Sequence, residues 1–198
     1  MRTLGRTPIQ DVLRSLPVLE TGRLRLRRAR LEDADQIYLY GSNPRISSYI
    51  YYYPIQSRAH AVSHVRQLLR QYTEGLPAEW VVEHRPTRQV IGTCGYTKFD
   101  AEDRRAEIGF ILAEEWQHQG LMREAVHEVI RFSFEETNLH RLEARCATEN
   151  EASRALLEDC GFQQEGLFRR QLFLKDRYHD VAFFGLLVVD YQRHPYWP

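Results

Sequence analysis

The stretch Arg105 to Ala125, RAEIGFILAEEWQHQGLMREA, commits the chain to a strand that turns directly into a helix. Arg105 to Leu112 reads as a strand, and past Gly120 the apolar positions Met122, Ala125, Val126, Val129 and Ile130 recur at helical spacing. The turn therefore lies at a helix N-terminus. Unpaired backbone N–H groups and the positive end of the helix dipole meet there, so a phosphate or pyrophosphate can bind without a basic side chain. A single glycine in a loop fits an ordinary strand-to-helix connection equally well, and the neighbouring segments have to decide.

Those segments alternate between the two periods. Leu24 and Leu26 alternate with arginines as a strand, and LEDADQIYLY follows as a helix whose acidic first turn suits the dipole. Ala61, Val62, Val65, Leu68 and Leu69 mark a second helix from Ser57 to Tyr72, ending near Gly75. Trp80 to Glu83 and Gln89 to Phe99 flank the turn HRPTR, and with Arg105 to Leu112 they read as an antiparallel meander. His140, Leu142, Ala144 and Cys146 give a half-buried strand, and Asn150 caps a short helix that stops at Gly161 and Phe162. Leu167 to Leu174 and the apolar run Val181 to Val189 close the chain as two strands, the last central in the sheet.

Charge and cysteine content narrow the function. Lys plus Arg and Asp plus Glu both total 27, so no global field draws nucleic acid or an anionic membrane. Cys94, Cys146 and Cys160 are too dispersed for a metal site or a disulfide framework and read as buried thiols. His127 and His140 read as helix-face and core histidines, and no metal is expected. The N-terminus has no apolar signal core and no apolar run is long enough to span a bilayer, which reads as a soluble, cytoplasmic protein. The divisions expected are a lead-in at 1–17, one domain at 18–190 and a tail at 191–198.

Five segments in order resemble the GNAT superfamily of acyl-coenzyme A N-acyltransferases, in its RimJ/RimL-like ribosomal-protein-alanine branch. They are LETGRLRLRRARLEDA, AEIGFIL, QHQGLM, NEASRALLEDCGF and EGLFRRQLFLKDRYHDVAFFGLL. The resemblance spans most of the chain. It implies a mixed α+β fold, a mostly antiparallel, twisted sheet of about seven strands with helices on both faces. It also implies acetyl-coenzyme A as cosubstrate. Backbone groups near Phe110, Ile111 and Leu112 would pair with its pantetheine arm, and Gln117 with N–H groups from Gln119, Gly120, Leu121, Met122 and Arg123 would hold its pyrophosphate. Met122 stands where the family usually has Gly or Ala, and His118 where glycine is frequent.

Asn150 and Ser153 approach the coenzyme in similar proteins, with Ser153 near the thioester sulfur; helix capping by Asn150 is compatible with that role. The family's usual tyrosine acid is replaced by Leu157, which leaves Ser153, a water or no general acid. Glu107 is the first choice of general base, against the alternative of a strand residue paired with an arginine. Tyr178, His179 and Asp180 can face the acceptor or serve the turn, and YIYYYP from Tyr49 to Pro54 can shape an acceptor groove or pack between helices. Expected acceptors are a protein N-terminus or a small-molecule amine such as an aminoglycoside, polyamine or amino acid, with a non-catalytic acyl-CoA-binding module as the rival class. The tail with Tyr191, Tyr196 and Trp197 either covers a second subunit, giving a homodimer, or packs on its own domain.

Overall fold

The computed structural model describes residues 7–49 and 54–193. The chain opens with α1 (Ile9–Ser15), β1 (Leu19–Glu20) and β2 (Leu24–Arg27), followed by α2 (Ala34–Gly41) and α3 (Arg58–Glu74). The meander β3 (Glu79–His84), β4 (Gln89–Asp100) and β5 (Arg105–Leu112) leads to α4 (Leu121–Glu135). After that come β6 (Arg141–Ala147), α5 (Glu151–Asp159), β7 (Gln163–Leu174), β8 (Arg177–Leu187) and α6 (Val188–Arg193).

Among the described residues these strands form one eight-stranded sheet in the order β1-β2-β3-β4-β5-β6-β8-β7. The strand beyond the expected seven is β1, a two-residue edge element whose period is too short to read. Every neighbouring pair is antiparallel except one, and short connections join β1 to β2, β3 to β4, β4 to β5 and β7 to β8. β5 reaches β6 through the crossover α4, and a crossover of that length is what a parallel pair requires. β8 lies between β6 and the edge strand β7, so the apolar run is interior but one place from the edge rather than central, and its last residues Val188 and Val189 open α6 instead of extending the strand.

Helices cover both faces. α4 buries Leu121, Ala125, Val126, Val129 and Ile130 against one face, where Phe132 meets Trp80 edge-on at 5.8 Å and the Ser133 and Tyr96 hydroxyls share a hydrogen bond of 2.6 Å. Truncating a buried aromatic such as Phe132 costs about 3–5 kcal/mol. On the other face α2 packs against both α3 and β4. The Ser57 hydroxyl caps α3, and Gly75 ends it at φ 69°. Tyr72, fully buried on α3, accepts from Ala29 N at 3.1 Å and donates to Glu79 O at 2.7 Å, which seats the helix over the start of β3. Arg27 joins Asp33 and Glu83 in a buried triad at 2.8 and 2.7 Å, fastening β2 to the entry of α2 and to β3.

α1 docks through Ile9, Val12 and Leu13, and Ile9 N donates to Asn138 Oδ1 at 3.2 Å. The tail's first aromatic, Tyr191, lies on α6 and stacks on Phe134 of its own chain, while Tyr196 and Trp197 lie outside the described residues. Tyr51, Tyr52 and Tyr53 of the YIYYYP segment lie outside them as well. His127 is half-buried on α4, but His140 is exposed rather than in the core, because it precedes β6 and bonds to the Arg104 carbonyl.

Candidate active site

The parallel seam between β5 and β6 is short. Three register pairs join them, ending at Glu107 with Glu143, although β5 continues to Leu112 and β6 to Ala147. Beyond that level the strands part, and a gap opens toward their carboxyl ends, each of which feeds a helix N-terminus. Open sheets bind ligands in such a place.

Backbone direction along the gap follows from one hydrogen bond. Ala113 N donates to Ile91 O at 2.7 Å, and bonded and non-bonded pairs alternate along the antiparallel β4–β5 ladder. The N–H and C=O of Ile111 and Gly109 therefore face β4, whereas those of Phe110 and Leu112 face the gap. Of the three expected backbone positions, two point into the gap and Ile111 turns away. Leu112 O is taken by the Gln117 side-chain amide at 3.0 Å.

Gly120 caps α4 in the left-handed region at φ 72°, with no side-chain cap. The N–H groups of Leu121, Met122 and Arg123 thus open the helix, and Gly120 O accepts from Glu124 N one turn on. Met122 is helical and buried, so its Cβ costs nothing there; His118, at φ 59°, bears the turn's other left-handed conformation. Gln119 Nε2 donates back to Glu115 O at 3.0 Å. Arg23, which sequence reading passed over, lies beside this turn. It donates to Gln119 O at 3.0 Å, pairs with Glu124 at 2.6 Å, and sits 3.7 Å from where a Gly120 Cβ would stand.

At the end of β6, Asn150 Oδ1 accepts from Ser153 N at 3.2 Å, so the asparagine caps α5. Ser153 is half-buried on the first turn, and Leu157 is 1% exposed within the main core, where no acid could reach a ligand. The two helix N-termini thus flank the gap from its two strands.

Glu107 stands at the last seam pair. Its carboxylate meets Arg145 at 3.0 Å, Lys98 at 3.5 Å and the hydroxyl of Thr97, the residue bulged out of β4, at 3.1 Å. The alternative of an arginine-paired strand residue is therefore the geometry found. The YHD segment serves the β7–β8 hairpin: Tyr178 stacks on Phe173, His179 is buried and pairs with Glu149 at 3.3 Å, and Asp180 accepts from Arg170 N at 2.7 Å. Glu114 is held by Arg45 and Asn43, each at 2.6 Å, and the Arg45 and Asn43 contacts keep its carboxyl below the usual range. Glu32 and Glu115 are exposed. Cys94 and Cys160 are buried and Cys146 is partly so; burial pushes the Cys146 thiol up to about 11 and Cys160 to about 12, so neither is a ready nucleophile. No helix of the described residues is long and apolar enough to cross a membrane.

A family model described as an acetyltransferase (GNAT) domain matches residues 23–163. Uncharacterized N-acetyltransferase p20 of Bacillus licheniformis is 36% identical over 176 residues, 89% of this chain and 99% of that protein. Spermidine N(1)-acetyltransferase of Vibrio cholerae is 27% identical over 169 residues, 85% of this chain and 95% of that protein. Ribosomal-protein acetyltransferases of Escherichia coli also match, over about half of this chain. Among solved structures, RimL, a ribosomal L7/L12 alpha-N-protein acetyltransferase in complex with coenzyme A, aligns with a TM-score of 0.80 at 19% identity, covering 86% of this chain and 98% of that one.

Proposed function

This chain belongs to the acetyltransferase (GNAT) family and is an acetyl-coenzyme A dependent N-acetyltransferase; on that premise we propose that its acceptor is the N-terminal amine of a protein, of the ribosomal-protein-alanine type. Acetyl-coenzyme A supplies an activated thioester. One observation carries the proposed site: the β5–β6 seam stops at Glu107 and leaves strand backbone and two helix N-termini around one gap. The gap-facing groups of Phe110 and Leu112 would pair with an extended pantetheine arm as an added strand does, with Ile111 supporting them from the β4 side. The N–H groups of Gln119, Gly120, Leu121, Met122 and Arg123 would meet the pyrophosphate, with Gln117 bracing the turn and Arg23 adding a cation. Asn150 fits as the cap that aims α5 at the coenzyme.

Ser153 is the proposed proton donor to the departing thiolate, since Leu157 removes the usual acid. Glu107 stays in the catalytic set as the carboxylate at the apex of the gap. Both its oxygens are engaged by Arg145, Lys98 and Thr97, so taking up a proton there requires breaking existing contacts.

The charge around the site favours a monocation over a polyamine. Glu114 is paired with Arg45 and Glu149 lies 3.3 Å from His179, so among the described residues these two carboxylates are already engaged rather than open to a polycation. Thiol release from acetyl-coenzyme A with Ala- and Ser-initiated peptides, spermidine and an aminoglycoside tests this. Faster turnover of a peptide is expected, and a preference for spermidine would overturn the acceptor assignment.

A further inference from the structure

Glu79, the first residue of β3, is in register with Gly95 on β4, and Gly95 with Gly109 on β5. Side chains of paired positions share a face, so all three lie opposite Trp80 and α4. The glycines leave bare backbone beneath the carboxyl. A Cβ at Gly95 would come within 2.6 Å of Glu79 Cα, and one at Gly109 within 3.5 Å of Glu79 Oε1. The carboxyl therefore lies over β5 one residue before Phe110, whose N–H faces the gap. Thr93 is on the same face and 2% exposed, with its hydroxyl by the Glu79 carboxyl.

A ligand anchored at the N-terminus of α4 reaches through the gap from the α4 face, so its reactive end emerges on the face of Glu79. Unlike Glu107, Glu79 is in no ion pair among the described residues. The groups facing it are the Tyr72 hydroxyl from α3, neutral near pH 7, the Thr93 hydroxyl from β4, and Glu107 with its partners Lys98 and Arg145 further along β5; Cys94, in register with Trp80, lies on the opposite face. Burial pushes the Glu79 carboxyl up to about 7, and the nearby Thr93 hydroxyl draws it back only in part.

We propose that Glu79 is a further catalytic residue, the proton acceptor for the amine that attacks the thioester. The proposal rests on acetyl transfer in this gap and is independent of which amine is acetylated. The acceptor ammonium gives one proton to the Glu79 carboxylate. The nitrogen lone pair then forms the bond to the carbonyl carbon, the C–S bond breaks, and a second nitrogen proton passes to the leaving sulfur through Ser153. Glu79 returns its proton to solvent, so one ammonium and one thioester yield one amide, one thiol and one proton. The Thr93 hydroxyl beside the carboxyl is placed to hold the carboxylate, or a water between it and the amine.

The test is the pH profile of kcat/KM for thiol release, with an Ala-initiated peptide and with spermidine. An alkyl ammonium titrates near about 10, so an acid limb near neutrality with spermidine belongs to the enzyme. E79Q is expected to lower kcat/KM at pH 7 by about 10²–10⁴-fold and abolish that limb, while leaving acetyl-coenzyme A affinity unchanged. The loss should shrink as pH approaches the amine's own titration. E79D, which keeps the carboxyl, should retain a displaced limb, and it stands in if E79Q does not fold. A variant with the wild-type limb and rate overturns the proposal. A ¹³C titration of the Glu79 carboxyl gives a readout besides turnover: a value at the ordinary glutamate position of about 4.3 overturns it, and one near neutrality sustains it. Lack of turnover with both amines would count against the acceptor assignment and leave this titration to decide on Glu79.

Discussion

The Gln117 side-chain amide donates to the Leu112 carbonyl at 3.0 Å, tying the turn before α4 back to the end of β5. That contact sets where the open N-terminus of α4 stands relative to the gap. Replacing it with Ala removes one hydrogen bond, worth about 0.5–1.5 kcal/mol. Q117A is therefore expected to lower Tm by a few degrees and, by loosening the turn, to weaken coenzyme A binding by roughly 2–10-fold, as thermal melts and calorimetric titration would show.

Asn150 and Ser153 separate under substitution. N150A removes the α5 cap and should cost about 0.5–2 kcal/mol of stability, whereas N150D keeps the cap and places a negative charge by the proposed pyrophosphate path. N150D should melt near the wild type yet bind coenzyme A more weakly. S153A should leave both melting and coenzyme binding nearly intact and lower kcat by about 10-fold or more if the hydroxyl carries the proton. Equal kcat in S153A and wild type would remove that role.

The Arg27, Asp33 and Glu83 triad is a matter of stability alone. R27M would strand two buried carboxylates, a loss of about 3–5 kcal/mol, and the chain should melt well below the wild type at pH 7. Protonating the stranded acids relieves the cost, so the deficit should narrow as pH falls; a pH-independent deficit would contradict the charge argument.

Glu79 ties activity to stability with a definite sign. Its folded-state value, about 7, lies above the unfolded value of about 4.3, so the folded protein holds the proton longer. Stability is full below the unfolded value, declines as pH rises through this window, and is flat above it. E79Q lacks that decline. Relative to wild type it should gain on the order of 2 kcal/mol between pH 4 and pH 8, a figure already reduced for the screening that a partly buried group retains. Denaturant melts at the two pH values check this, and an E79Q that gains nothing at pH 8 would show that Glu79 folds without a penalty.

What the sequence made legible was local. Ser57 and Gly75 bracket α3 because cap chemistry is written in single residues, and the period-two run of β6 and the Asn150 cap of α5 are equally short-range. The order of five motifs carried the family. The parting of β5 from β6 was not legible as such, because it depends on which strands pair and where pairing stops. Arg23 was missed since its partners Gln119 and Glu124 lie across the fold, and Glu79 because its setting comes from glycines on two other strands. Ile111 was grouped with Phe110 and Leu112 because backbone direction leaves no trace in side chains until a ladder fixes its phase. The choice between an acceptor groove and packing for the YIYYYP segment falls on Tyr51 to Tyr53, outside the described residues.

The three-pair seam at Arg105 to Glu107 also has a mechanical meaning. Apart from the two-pair edge joint of β1 with β2 it is the thinnest joint in the sheet, so β1–β5 and β6–β8 meet as two plates joined near one end and parted at the other. A strand-like cosubstrate lying along Phe110 and Leu112 would act as a splint across the open end. Amide hydrogen exchange at those two residues should slow when coenzyme A binds, and the plates should resist opening most while the thioester is being consumed.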